Sequence, residues 1–194
     1  MELEKITNHI FHLRFQTQRE LASTFLRFQE HFESPVFRGK IFTLEEYREW
    51  YIKNSKKGKE TGEFTYYSDW NGFNVPSTVL EPFYIGRFNP LSEQEQRFLN
   101  LFVEERNNGN RFYIIGTHTE SERGTLSLLH EISHGLFFTN DDYRREILKV
   151  LEGGDSGIRD QINSFLVNSA GYHQDVWEDE THAYLTHNPS ALEK

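Results

Sequence analysis

The chain has 194 residues, 36% of them apolar, and its 17 Phe, 9 Tyr and 3 Trp are enough to build a folded core. Its 30 acidic against 21 basic residues leave a net charge of -9, which argues against a nucleic-acid partner, because a phosphate backbone needs a basic face. No cysteine is present, so disulfides and thiolate metal sites are excluded, and any metal must be held by His, Asp or Glu.

From the N-terminus, MELEKITNHIFHLRF has no basic run followed by an apolar one, so it does not read as a secretory signal. No stretch reaches the length of a membrane span, and the expected compartment is the cytoplasm. Export by a machine that reads other signals is equally compatible with this sequence. Residues 5 to 32 place Ile6, Ile10, Phe11, Leu13, Leu21, Phe25, Leu26 and Phe28 near helical spacing, which predicts one long helix. Ser34-Pro35 breaks it, and SPVFRGKIF reads as a short extended segment. Thr43 and Glu46 have the spacing of a capping box and open a helix to about Asn54. The basic run KNSKKGK at 53–59 reads as a solvated loop. FTYYSDWNGFNVP suggests a hairpin turning at Asn71-Gly72. Ser92 with Glu95 caps a helix over about 93–106. The aromatic density of FTYYSDWNGF and EPFYIGRF fits core better than a substrate groove wall.

NNGN at 107–110 is a turn, and RFYIIG at 111–116 is the clearest strand signal in the chain. Thr119 with Glu122 forms another cap, for a helix containing TLSLLHEISHGLFF. A further helix starts after Asn140 and stops at Gly153-Gly154, and two more cover about 156–168 and 174–186. The expected fold class is α+β, mainly helical, with a small mixed or antiparallel sheet packed on the helix of TLSLLHEISHGLFF. Residues 1–110 form an N-terminal helical and aromatic-rich part and residues 111–194 carry the chemistry, within what can be a single domain.

That chemistry sits in an apolar helix. His130, Glu131 and His134 spell H-E-x-x-H among Leu126, Leu128, Leu129, Ile132, Leu136 and Phe137. Polar groups buried there are costly unless something meets them. Positions i and i+4 lie on one helix face, so the two imidazoles can converge on one metal ion. Glu131, on the adjoining flank, can then take a proton from a water that the metal activates and pass it to a leaving amine. Three N/O ligands with an open position suit zinc. The strand at 111–116 would be the sheet edge on which an extended peptide lies. The competing reading has no metal, with both histidines satisfied by buried hydrogen bonds.

The motif resembles that of the zincins, the metallopeptidase superfamily in which H-E-x-x-H lies on the active-site helix. The resemblance covers about residues 111 to 187. Phe137 stands where the metzincin pattern has glycine, and Asn140 where it has its third histidine. The resemblance is therefore to the gluzincin type, in which a glutamate from a later helix completes the site. Glu180 ranks first, because Glu180-Thr-His-Ala183 resembles the E-x-x-A of the glutamate helix, and Ala183 would allow close helix packing. Glu178 ranks second and Glu152 third, the latter eighteen residues after His134 but directly before a helix stop. Asp175, Glu178 or Asp179 can accept the free ring N–H of a ligand histidine. The resemblance further implies an oxyanion-stabilising group, for which Tyr172 and His173 are the candidates, with Tyr143 another. His118 and Tyr184 read as structural. The implied activity is zinc-dependent hydrolysis of a peptide or amide bond in a peptide or protein substrate, with no nucleic-acid or membrane partner. The alternative is a zincin-like module that keeps a structural metal and has no activity.

Overall fold

The structure is a computed structural model and describes residues 1–120, 128–154, 156–166 and 174–187. Strands β1 (Glu2–Thr7), β2 (Ile10–Phe15), β3 (Gly72–Pro76) and β4 (Tyr113–His118) form one mixed sheet in the order β1-β2-β4-β3. The β1/β2 and β3/β4 pairs are antiparallel and β2/β4 is parallel. The fold is α+β and mainly helical. Three strands come from residues 1–110 and one from 111–194, so the two parts of the chain share their sheet.

The long helix expected over residues 5 to 32 is instead a hairpin followed by a helix, α1 (Gln18–Glu33). Thr7 makes the turn, its hydroxyl accepting from the backbone N–H groups of His9 and Ile10 at 3.2 and 3.1 Å. Strand β2 is covered on both faces, with five of its six residues buried. It therefore lacks the polar alternation that marks a half-buried strand, and its apolar spacing imitates a helix. Thr17 caps α1 by accepting from the Glu20 N–H. Residues 35–39 make turns rather than an extended segment. The expected hairpin at Asn71-Gly72 supplies one strand only: Tyr66–Ser68 is a 3-10 turn, and β3 pairs with β4 instead.

Both full capping boxes form, opening α2 (Leu44–Asn54) at Thr43 and α5 (Glu93–Leu101) at Ser92. Between them lie the short helices α3 (Lys56–Thr61) and α4 (Glu81–Tyr84), so much of the basic run is helical rather than loop. The helix expected to continue to 106 breaks at the fully buried Phe102, and α6 (Val103–Asn107) follows. After β4 come α7 (Leu128–Thr139), α8 (Asp141–Gly153), α9 (Ser156–Phe165) and α10 (Trp177–His187). Asn140 caps α8 through the Tyr143 N–H at 3.0 Å. The expected cap at Thr119 and Glu122 involves residues outside those described. Among the described residues, no helix is long and apolar enough to cross a membrane.

The two sheet faces carry different loads. On one, Phe11, Leu13, Phe15, Phe73, Val75 and Ile114 join Phe25 and Phe28 of α1 in the main aromatic core. Tyr66, Phe83 and Phe88 from the aromatic-rich runs are buried in this core, as their composition suggested. The other face offers Ile10, Tyr113 and Ile115, against which Ile132 and Leu136 of α7 pack. Gly135 lets α7 come down on the sheet, because a Cβ there would stand 2.9 Å from the Ile10 side chain. Opposite it, Gly116 gives α1 its seat: a Cβ there would lie 2.6 Å from the Phe25 ring and 2.7 Å from Leu21. Gly116→Val should therefore overpack the core and destabilise the protein by about 1–3 kcal/mol, measured by urea denaturation.

Candidate metal centre

Helix α7 lies between the sheet and α10, and the polar groups of both helices meet at that seam. His130 and His134 sit one turn apart on α7, with their Nε2 atoms 3.1 Å apart. Glu180, in the first turn of α10, brings its carboxylate to 3.7 Å from each of those nitrogens. The three donor atoms lie within 4.8 Å of one another. Ala183, fully buried one turn beyond Glu180, keeps α10 close. Ser133 and Thr186 join the two helices through their hydroxyls at 3.1 Å.

These residues fit a zinc ion on the structure's own terms. Four-coordinate zinc with bonds of about 2.0–2.2 Å places neighbouring donors roughly 3.3–3.6 Å apart; the two Nε2 atoms at 3.1 Å, and each of them at 3.7 Å from a different Glu180 oxygen, approach that spacing. Glu180 Oε2 is buried and accepts no hydrogen bond, a costly arrangement for a carboxylate oxygen unless a cation meets it. His134 Nδ1 stands 2.9 Å from Asp179 Oδ1. That is an ion-pair distance without hydrogen-bond geometry, since Asp179 Oδ1 is, like Glu180 Oε2, a buried oxygen that accepts no hydrogen bond; it sets a negative charge behind the ring, where a carboxylate stands behind a metal-binding histidine. Of the three residues weighed for this role, Asp179 is the one beside a candidate ligand histidine; Glu178 is exposed, and Asp175 lies 3.5 Å from Arg38. Glu152 and Glu178 are both exposed, and neither belongs to the cluster.

The surroundings are strongly acidic. Burial disfavours charge on His134, but Asp179, Glu180 and Glu131 outweigh it and hold the imidazole well above its ordinary pKa. Burial pushes the Glu131 carboxyl above its usual value, while His134, His130 and a hydrogen bond from Asn74 pull it back. A fourth carboxyl, Glu33 at the end of α1, is pushed up to about 8 by burial and by Glu180. Four carboxyls near two imidazoles give a negative surrounding that could hold a cation.

Glu131 is held from the sheet. Asn74 on β3 donates from Nδ2 to Glu131 Oε2 at 2.5 Å, and Tyr113 on β4 donates its hydroxyl to Asn74 Oδ1 at 2.5 Å. Gln29 of α1 accepts from the Asn74 backbone N–H at 3.3 Å and donates to Glu33 Oε2 at 2.5 Å. None of these four supporting residues carries a motif. The one available signal was an asparagine inside the apolar run GFNVP, where strands disfavour it.

Strand β4 is not a sheet edge. It lies between β2 and β3, so no peptide can add to the 111–116 strand, contrary to expectation. The free edge next to the site belongs to β3, and its outward N–H at Asn74 is already taken by Gln29. Tyr172 and His173 lie outside the described residues. Tyr143 is paired through its hydroxyl with His182 Nε2 at 2.7 Å, and His182 stacks on Phe137. His118 is buried with its Nε2 3.3 Å from Asn71 Oδ1, and Tyr184 packs its ring against His130 and Phe165. Comparison of the chain with protein-family models, curated proteins and solved structures finds no match.

Two measurements follow. Zinc added to chelator-stripped protein should stabilise it by about 2.7 kcal/mol at free zinc 100-fold above its Kd. Glu180→Gln and His134→Ala should each lose most of that gain in thermal melts. The second concerns Glu33 in the metal-free protein. A carboxyl whose folded pKa is raised binds more protons folded than unfolded, so its contribution is full below the unfolded value and is lost as pH rises through about 8. Glu33→Gln should therefore gain stability relative to the parent between pH 5 and pH 9, read by urea denaturation at both ends.

Proposed function

We propose that this protein is a zinc-dependent hydrolase of the metallopeptidase kind, cleaving a peptide or amide bond. The observation that carries the reading is the convergence of His130, His134 and Glu180 around a buried carboxylate oxygen with no hydrogen-bond partner. Glu131 lies on the same helix, beside both histidines in charge and in chain position. Zinc bound by the triad would polarise a carbonyl and lower the pKa of a water, supplying a nucleophile near neutral pH.

The protein's own residues divide the remaining work. Asp179 sets its negative charge 2.9 Å from His134 Nδ1, on the far side of the ring from Nε2. Glu131, its carboxyl raised by burial toward the range where a base both accepts and returns a proton, takes the proton of the attacking water and hands it to the leaving amine. A purely structural site would need no such glutamate. Leu128, Ile132 and Leu136 anchor α7 to the sheet, which keeps the two imidazoles at a set spacing. Tyr172 and His173 remain the candidates for stabilising an oxyanion, as the zincin resemblance implies.

One observation favours a second reading, a metal-holding module without activity. Gln29 occupies the outward amide of the edge strand that an extended peptide would otherwise pair with. A hydrolase of this form must take a substrate that does not add as a strand there, or must displace Gln29.

Glu131→Gln separates the two readings. It should abolish turnover of a mixed peptide library, by roughly a thousandfold or more, while one zinc per chain remains by metal analysis. Absence of turnover in both parent and variant, with zinc retained, supports the module. Untagged protein with far less than one zinc per chain after zinc loading overturns both readings.

A further inference from the structure

The contacts around Glu131 extend the hydrolytic reading, on which this inference rests. A general base works only when one carboxylate oxygen is presented to the proton it takes, and a carboxylate held by its helix alone can turn about its last bonds. In this protein Glu131 Oε2 accepts from Asn74 Nδ2, a donor on a different element. The direction of that bond is not left to chance. An asparagine amide can flip and exchange its donor for its acceptor, and a flipped Asn74 would put its carbonyl against a carboxylate. The ionised Glu131 carboxylate can only accept, so it selects Nδ2, and the Tyr113 hydroxyl, by donating to Asn74 Oδ1, locks the amide in that orientation.

The Asn74 backbone is held as well. Its N–H donates to Gln29 Oε1, and the Gln29 amide is oriented in turn by donating to Glu33. Asn74, Tyr113 and Glu131 are all buried, so the two side-chain bonds among them are made where a missing partner is costly. Groups from α1 and β4 thus converge on Asn74 of β3, which makes the contact with one oxygen of the Glu131 carboxylate on α7.

We propose that Asn74 is a positioning residue for Glu131. It holds Oε2 so that Oε1 is presented for proton transfer, and Tyr113 acts as the lock on the Asn74 amide. Asn74 acts through Glu131, whose Oε2 it holds.

The test uses the full chain loaded with zinc. In crystals of Asn74→Ala, the Glu131 carboxylate should leave its parent orientation or divide between two. With a peptide that the parent cleaves, kcat should fall roughly 10- to 100-fold, with KM within about two-fold and one zinc per chain retained. Asn74→Asp, which sets one carboxylate against another, should fall at least as far. Tyr113→Phe should give a smaller loss of kcat and should add nothing in the Asn74→Ala background, because it acts through Asn74. An unchanged Glu131 orientation in Asn74→Ala overturns the proposal, as does a loss that appears in KM instead of kcat. A Tyr113→Phe loss of equal size in both backgrounds removes the lock. If Asn74→Ala does not fold, Tyr113→Phe carries the same two readings with only a hydroxyl removed. If the parent cleaves no peptide, the hydrolytic reading fails alone, and the Glu131 orientation in the two crystals still decides whether Asn74 positions it.

Discussion

Two imidazole Nε2 atoms stand 3.1 Å apart and face a buried carboxylate. Either one ring donates its N–H to the other, or a metal ion takes the place of that proton, because three sets of lone pairs would otherwise point at one another. Much of the described structure serves this constraint. Helix α7 brings the imidazoles, α10 brings Glu180 and Asp179, and the sheet supplies a rigid floor under α7 through Ile10, Tyr113 and Ile115.

The floor is rigid because both its faces are loaded. The aromatic core on one side fixes α1 against Gly116, and Gly135 fixes α7 on the other. A buried ion pair adds to this: Arg27 of α1 makes two hydrogen bonds to Glu95, at 2.6 and 2.5 Å, and reaches the Phe88 and Pro90 carbonyls. Glu95 is also the capping residue of α5, so the same carboxylate ties α1 to the start of another helix. Since α1 carries Gln29 and Glu33, the packing of residues 1–110 reaches the surroundings of the candidate metal centre.

The acidity of the site follows from the same layout. Glu33, Glu131, Asp179 and Glu180 come from three helices, and burial together with the charge of Glu180 raises the cost of ionising both Glu33 and Glu131. A divalent cation there would relieve that cost and would meet the Glu180 oxygen that accepts no hydrogen bond.

Much of the site was legible from local spacing. His130 and His134 at i and i+4 require only a helix to face the same way, and Thr43, Ser92 and Asn140 mark helix starts through bonds that span three residues. The E-x-x-A pattern pointed to Glu180, but its approach to the histidines was decided by the packing of α10 on α7. Pairing between distant strands was not legible. Strand β2 looked helical because both its faces are buried, and β4 looked like an edge because nothing local records that β2 and β3 flank it. Asn74, Tyr113, Gln29 and Glu33 carry no motif, since their roles exist only once three segments far apart in the chain meet at Glu131. The sequence by itself determined the helix starts and the face shared by the two imidazoles, because these depend on a few neighbouring residues. Only the tertiary structure decided which carboxylate joins them and which groups hold the base, because those contacts close long loops that no local pattern encodes.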